Sequence, residues 1–278
     1  MSKIEKALSR AREAERDTQV VPVAGASVAP TPGTAMVANR VTSPETIPHM
    51  AENEVRLLGP SDLAQLGIIQ PRHSEDPAVQ VFRELRTKII EQSQGRNAVI
   101  LVTAVSTGCG ASFVAQNLAA AFAFDVGKTA LLIDCNLSNP SVHRLLAKAG
   151  APGLTEYFEK PDLEIKEIIQ PVGIARYRAI TTGKRYEVPE EHFSSGKMRR
   201  LMETVRQRYS ERFIIMDGPP MSKIADIRTL SEQADYVLVV AHYARSTNAQ
   251  ITKCLNAISD KKLLGIIFNE EPRIPRIR

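Results

Sequence analysis

Short apolar runs alternate with amphipathic segments along most of the chain. From Ala98 onward, runs rich in Ile, Leu and Val are separated by stretches in which apolar residues recur with helical spacing. Runs with no polar positions are typical of parallel strands that helices cover on both faces. The pattern predicts five strands, over residues 98–103, 129–134, 213–217, 236–241 and 263–268.

The amphipathic segments between these runs predict the helices of the same fold. Their bounds are residues 112–124, 141–148, 197–209, 224–232 and 247–259, and a further helix over residues 77–92 precedes the first strand. Regular alternation of strand and helix predicts βαβ units. We therefore expect an α/β fold with a doubly wound, mostly parallel sheet.

The first 55 residues have a different character. Ser2 followed by Glu5 matches a capping box, and apolar residues recur on one face from Ile4 to Ala11, which predicts a short amphipathic helix over residues 1–17. Two interpretations stay open for this helix, a docking element for another protein and a frayed leader. Residues 18–55 are rich in Pro, Ala, Val, Thr and Ser without periodicity, which predicts a flexible linker before a single domain over residues 56–278.

Composition excludes several classes of protein. The net charge is +5 and no block of like charges occurs, so a nucleic-acid partner is not expected. The three cysteines are far apart and form no CxxC pair, which argues against a zinc site or a disulfide framework. Because no run of about 18 apolar residues occurs, we expect a cytoplasmic protein that reaches the inner membrane only through a partner.

A glycine-containing turn between the first predicted strand and its helix has the character of a phosphate-binding loop. Gly108 and Gly110 allow successive N–H groups to point at an anion, and the following helix adds its positive end. Ser112 stands where such a loop ligates Mg²⁺, but Ala111 stands where its lysine belongs. The candidate nucleotide-binding residues are Gly108, Cys109, Gly110, Ala111, Ser112 and Phe113.

Two aspartates end strands that should lie beside this loop. Asp134 closes the second predicted strand, and Asp217 closes the third and is followed by a Gly-Pro-Pro turn. Ligands of open α/β sheets bind at this carboxyl edge, so Asp134 and Asp217 are candidates for residual catalysis and, with Ser112, for Mg²⁺ binding. The alternative is that both aspartates only cap the next helix. The expected cofactors are ATP or ADP with Mg²⁺ if nucleotide binding survives, and otherwise none.

Three segments in order carry a family resemblance. GCGAS, LLIDCNLSNPSVHR and FIIMDGPP resemble the Walker A, A′ and B motifs of bacterial tyrosine autokinases, the CpsD and CapB type. The leader MSKIEKAL and the segment LAQLGIIQP are similar to those of autokinases found beside exosortase-type exopolysaccharide loci. DPAVQVFRELRTKI is similar to the oligomerisation helix of that family. The resemblance implies a P-loop NTPase fold of the MinD and ParA class, with subunits joined through the helix that carries Arg83 and Arg86.

The departures from the family fall on its chemistry. The resemblance implies lysine at Ala111, a second aspartate at Asn136, a basic residue at Ser138 and an acid at Gln80. Asn136 can accept a hydrogen bond but carries no charge. A tyrosine cluster is also expected near the end of such kinases, whereas the last tyrosine here is Tyr243 and the tail NEEPRIPRIR has none.

These observations lead to three hypotheses of function. The first is a catalytically impaired pseudokinase or scaffold that regulates exopolysaccharide biosynthesis and export, with a membrane chain-length-determinant protein or a related active kinase as its partner. The second is an active tyrosine autokinase or ATPase in which Lys128, Lys184, Arg185 or Lys223 replaces the missing lysine. The third is a positioning ATPase like ParA or MinD, although Ser106 stands where their signature lysine belongs.

Overall fold

The computed structural model describes residues 57–70, 75–146, 150–184, 190–208 and 211–270. The predicted N-terminal helix, the predicted linker and residues 271–278 of the tail lie outside these described residues. The domain boundary predicted at residue 56 therefore stays a prediction.

A seven-stranded sheet forms the centre of the described structure. Its strands are β1 (Val99–Ala104), β2 (Thr129–Asp134), β3 (Gln170–Pro171), β4 (Tyr177–Ile180), β5 (Arg212–Asp217), β6 (Tyr236–His242) and β7 (Leu263–Asn269). The strand order is β3-β4-β2-β5-β1-β6-β7, and every neighbouring pair is parallel except β3 with β4. The predicted doubly wound, mostly parallel α/β fold is thereby confirmed.

Helices connect these strands. The α-helices are α1 (Pro60–Gln65), α2 (Pro77–Gln92), α3 (Ala111–Ala123), α4 (Leu154–Glu159), α5 (Ile165–Ile168), α6 (Gly196–Gln207), α7 (Ile224–Gln233) and α8 (Asn248–Ala257). Short 3-10 turns lie at Val142–Leu145, Glu190–Ser194 and Met221–Lys223. None of the described helices has both the length and the apolar character needed to cross a bilayer.

The central helix α3 packs closely against the sheet. Most of its residues between Val114 and Ala123 are buried alanine, leucine, valine or phenylalanine, so its backbone can approach β2 and β5. Phe122 at its end stacks on Phe213 of β5 with ring centroids 4.0 Å apart. Because α3 follows β1 directly, this packing fixes the loop between them at the carboxyl edge of the sheet.

One predicted helix is wrong, and two strands were not predicted. Residues 141–148 were expected to be helical, but Val142–Leu145 form a 3-10 turn, and residues 147–149 lie outside the described part. The N–H groups of Ser141 and Val142 bind the Asp134 carboxylate, which draws this segment against the end of β2. Strands β3 and β4 are too short for a clear period of two, and Arg178 interrupts the apolar pattern of β4.

Candidate functional site

The loop between β1 and α3 has the backbone of a phosphate cradle. Gly108 and Gly110 adopt φ values of +85° and +88°, which L side chains rarely adopt. A Cβ at Gly110 would also collide with the side-chain amide of Asn269, whereas the space beside Gly108 is open. Helix α3 begins at Ala111 without a side-chain cap, so its first N–H groups are available to an anion.

Cys109 turns its thiol into the protein. Its Sγ lies 3.3 Å from Ser106 Oγ and 3.8 Å from Ser246 Oγ, and its carbonyl accepts a 3.1 Å bond from Asn269 Nδ2. Burial raises the pKa of this thiol, but the hydrogen bonds from Ser106 and Ser246 outweigh burial and leave the pKa below its ordinary value. The Cys109 N–H is directed at Ser106 O, at 3.4 Å. The side chain therefore stabilises the loop instead of facing a ligand.

The remaining loop residues offer different groups to a ligand. Ala111 is nearly buried and has no polar side chain at the position where lysine was expected. Phe113 points away from the cradle, because its ring makes an edge contact with Phe82 of α2 at 6.0 Å between centroids. Ser112 is partly exposed, and its hydroxyl lies close enough to the Asp217 carboxyl to lower the pKa of that group.

The two predicted aspartates lie side by side. Asp134 and Asp217 are register partners at the ends of β2 and β5, and both are fully buried. Asp134 accepts three backbone N–H bonds, from Asn136 at 3.2 Å, Ser141 at 3.0 Å and Val142 at 2.9 Å. Asp217 receives the Ser141 hydroxyl at 3.4 Å, while its Oδ1 is buried without a hydrogen-bond partner.

The electrostatics of this aspartate pair show a deficit of positive charge. Burial raises the pKa of Asp134 to about 6, against the lowering effect of its three N–H bonds. Burial and the neighbouring charge of Asp134 raise the pKa of Asp217 to about 8. Across the described ranges, no lysine or arginine pairs with either carboxylate. The pair therefore holds a proton near neutral pH unless a cation arrives.

The residues proposed to replace the lysine lie elsewhere or are occupied. Lys128 precedes β2, at the opposite edge of the sheet from Asp134, and its ammonium lies 5.7 Å from the centroid of the Phe213 ring. The N–H of Lys184 binds Glu156, and its side chain is exposed. Lys223, in the 3-10 turn after β5, has an interaction partner of its own. Arg185 lies outside the described residues.

Asn136 also has a structural role. Its N–H donates to Asp134, and its side-chain oxygen accepts from the N–H of Asn139 at 3.3 Å. The side chain thus closes the turn after β2. Ser138 in the same turn is exposed and has a partner.

The helix predicted to join subunits makes contacts within its own chain. Arg86 donates from Nη1 to the Ala121 carbonyl at 3.1 Å, and its Nε lies 3.9 Å from the Asp125 carboxylate. It thereby binds the C-terminal end of α3, where carbonyl groups lack helical partners. Arg83 is half-buried on the same helix, and Gln80 has a partner. Subunit pairing through α2 stays a prediction.

Three polar residues that support the site were missed in the sequence. Asn269 at the end of β7 binds the loop carbonyl, and the Ser141 hydroxyl reaches Asp217. Asn117, fully buried in α3, accepts from the Ile69 N–H at 2.8 Å and donates to the Gly67 carbonyl at 3.2 Å. The sequence did hold a signal for two of these roles. Asn117 is a single asparagine in an otherwise apolar helix, and Asn269 is a polar residue at the end of an apolar strand.

A cavity of about 410 Å³ lies on the other side of the phosphate loop. It is lined by Val105, Ser106, Thr107, Met221, Ser222, Ile224, Gln250, Lys253 and Cys254. The loop, the turn after β5 and helix α8 therefore line one common cavity. No group of three or more His, Cys, Asp or Glu side chains suited to a metal occurs in the described part of the chain.

Curated relatives of the chain are tyrosine kinases. No protein-family model matches it. A protein described as a tyrosine-protein kinase, EpsB of Ralstonia solanacearum, is 30% identical over 230 residues, which cover 81% of this chain and 30% of the relative. The tyrosine-protein kinase Wzc of Salmonella typhimurium is 29% identical over 197 residues, which cover 70% of this chain and 27% of the relative. The chain thus spans about 30% of the length of these relatives.

Solved structures agree in fold. The kinase domain of the Escherichia coli tyrosine kinase ETK has a TM-score of 0.65 at 24% identity, covering 74% of this chain and 80% of that domain. The chimerical protein CapA2B2 has a TM-score of 0.66 at 24% identity, covering 77% of this chain and 99% of that protein. A ParA-family ATPase from Chlorobium tepidum has a TM-score of 0.51 at 16% identity, covering 65% and 77%. The homologues of this chain are bacterial tyrosine-protein kinases, and the chain has the P-loop fold that the ETK kinase domain shares with the ParA-family ATPase.

Proposed function

We propose that the chain is a catalytically impaired member of this family, a pseudokinase that acts as a scaffold in exopolysaccharide biosynthesis and export. The observation that carries the proposal is the buried pair Asp134 and Asp217, beside which no lysine or arginine of the described residues lies, next to a cradle in which alanine replaces lysine. The polysaccharide context rests on the sequence resemblance of the three motifs.

The missing charge bears directly on phosphoryl transfer. The transition state is loose and spreads negative charge over the phosphoryl oxygens, so catalysis depends on positive groups placed against them. Here the loop supplies backbone N–H groups and the Ser112 hydroxyl, and Ala111 supplies neither charge nor hydrogen bond. We expect binding of nucleotide to be weak and turnover to be slow for this reason.

A Mg²⁺ ion fits the remaining groups. Asp217 Oδ1 is a buried oxygen without a partner, and the Ser112 hydroxyl lies beside the same carboxyl, so the two residues present oxygen ligands of the kind Mg²⁺ prefers. Asp134 lies beside them on β2. When bound, the ion would neutralise phosphate oxygens and the two carboxylates.

That fit supports the second candidate, an active autokinase or ATPase with a rebuilt site. In that case a cation from Arg185 or from another subunit would take the place of lysine. The third candidate, a ParA-like or MinD-like positioning ATPase, has only the shared fold in its favour.

The proposed partner is a membrane chain-length-determinant protein or a related active kinase. The protein would then work in the cytoplasm and be recruited to the inner membrane by that partner. A homo-oligomer through the α2 residues Arg83 and Arg86 is a further proposal, and it must accommodate the bond of Arg86 to Ala121.

Calorimetry with Mg²⁺-ATP and Mg²⁺-ADP tests the proposal. We expect dissociation constants near or above the millimolar range for the wild type. The variant Ala111→Lys should tighten binding at least tenfold, since a charged hydrogen bond to phosphate is worth about 1.5–3 kcal/mol. Ala111→Gln, of similar length without the charge, is the matched control. Micromolar binding by the wild type that is lost in Asp217→Ala would overturn the proposal in favour of the active kinase.

A further inference from the structure

Strand β7 differs from the other long strands of the sheet. Every residue of β1 and β5 is buried, whereas every residue of β7 is at least partly exposed, and Phe268 is 47% exposed. Among the described residues, β7 pairs only with β6. A Cβ at Gly265 in the middle of β7 would meet nothing within 4 Å. Within the described part of the chain, an apolar strand therefore presents a backbone edge without a partner strand and open flanks.

The opposite edge of the sheet is protected, but β7 is not. Strand β3 has two residues, one of which is Pro171, and both features block the addition of another strand. Strand β7 is seven residues long and has no charged residue or proline between Leu263 and Asn269. Long, apolar, unguarded edges are sites of strand pairing with another chain. The difference between the two edges indicates that another strand pairs with β7.

The charges that flank β7 indicate which chain pairs with its edge. Lys261 and Lys262 precede the strand, and Glu270 and Glu271 follow it. Two antiparallel copies centred on Ile266 place Lys262 of each copy opposite Glu270 of the other. Opposite charges then meet at both ends, whereas parallel pairing in register would bring like charges together. Antiparallel pairing also closes on a two-fold axis, which ends assembly at a dimer.

We propose that two copies of this chain pair antiparallel through β7, joining their sheets into one continuous sheet across a two-fold axis at Ile266. The pairing supplies partners to the free backbone edge and buries the apolar flanks of Leu264 and Phe268. It is separate from the α2 surface that carries Arg83 and Arg86.

The interface is continuous with the phosphate loop. Asn269 at the end of β7 holds the Cys109 carbonyl, and the Glu270 carboxylate lies 2.9 Å from His242 Nε2 at the end of β6. Lys262 at the other end donates to the Ser231 carbonyl at 2.7 Å. The residues that frame the edge are thus held in place by their own chain, which lowers the entropy cost of pairing.

Sedimentation velocity on the full chain tests the pairing. We expect a dimer at micromolar concentration, and a loss of affinity of more than tenfold in Ile266→Lys, which places two ammonium groups against each other at the axis. Val126→Lys is the matched control, because Val126 is 85% exposed and lies away from β7. A monomer for the wild type at 100 µM, or equal dimerisation of both variants, would overturn the proposal.

A cross-link tests the register even if Ile266→Lys folds poorly. Residues that face each other across an antiparallel pair have Cα atoms about 4.5–5.5 Å apart, within the range of a disulfide. Ile266→Cys should therefore form a covalent dimer under mild oxidation by diamide, and Val126→Cys should not. The wild type gives the background, since Cys109, Cys135 and Cys254 are buried. A monomer whose β7 amides are protected from hydrogen exchange would assign the edge to a segment of the same chain and refute the dimer.

Discussion

Replacing Asp217 by asparagine should stabilise the protein in a way that depends on pH. The pKa of Asp217 rises to about 8 in the folded chain, from an ordinary value near 3.8, chiefly through burial and then through the charge of Asp134. The folded state therefore binds more protons than the unfolded state between pH 4 and 8, and its stability falls as the pH rises through that window. Below pH 4 both states hold the proton and the penalty vanishes.

The size of the effect follows from the same shift. One pKa unit corresponds to about 1.4 kcal/mol, so ionising Asp217 in the folded state costs on the order of 5 kcal/mol above pH 8. Part of that cost is shared with Asp134, whose pKa rises to about 6. The new amide N–H₂ also enters a buried position, where a missing acceptor costs about 1–3 kcal/mol. Because that amide cost is the same at every pH, it cancels in a comparison of two pH values. We expect Asp217→Asn to gain about 3–4 kcal/mol at pH 8 relative to its own effect at pH 4.5.

Urea unfolding at pH 4.5, 6.5 and 8 in EDTA measures the difference. Asp134→Asn is the matched control, because it removes the same charge from the pair. It also replaces one acceptor oxygen by an N–H₂ group, so either the Asn136 N–H or the N–H groups of Ser141 and Val142 lose their acceptor. Its gain at pH 8 should therefore be smaller. If Asp217→Asn destabilises the protein equally at every pH, a cation of the chain neutralises the pair and the argument for a charge deficit fails.

Three further predictions concern the loop and its support. Ala111→Lys should raise the free energy of unfolding at pH 8 as well as nucleotide affinity, because its ammonium supplies the missing charge; an unchanged midpoint in urea would contradict this. Gly110→Ala should cost about 1–3 kcal/mol by denaturation, since both its positive φ and the Asn269 side chain oppose a Cβ. Arg86→Ala should cost about 1–2 kcal/mol, against little for Arg83→Ala, and equal losses would contradict the role of Arg86 at the end of α3.

The fold could be predicted because its signals are local. The apolar runs of β1, β2, β5, β6 and β7 each sit within a residue or two of the predicted bounds, and helix α2 has the bounds predicted for it. Strand β4 escaped prediction because its four residues include Arg178 and its partner β2 lies far away in sequence. The helix expected over residues 141–148 failed because a carboxylate seven residues earlier captured its first N–H groups.

The part of the candidate site that could be predicted consists of polar residues that directly follow apolar strands. The register of β2 and β5 brings Asp134 and Asp217 together, as their positions after apolar runs had indicated. The hydrogen bond from Asn269 to the Cys109 carbonyl joins residues 160 positions apart, and no local sequence pattern predicts such a contact. The bond of Arg86 to Ala121 is likewise tertiary, so a residue predicted for a subunit interface also serves the end of α3.

Turnover by the wild-type protein shows whether the site without its lysine still transfers phosphate. Purified full-length chain is incubated with Mg²⁺ and γ-labelled ATP, and both phosphate release and incorporation into tyrosine are compared with Asp217→Ala prepared in the same way. We expect the two preparations to be indistinguishable, because the charge that stabilises the transferring phosphoryl is missing at Ala111. Wild-type turnover that disappears in Asp217→Ala would contradict it and show that the site has been rebuilt with another cation.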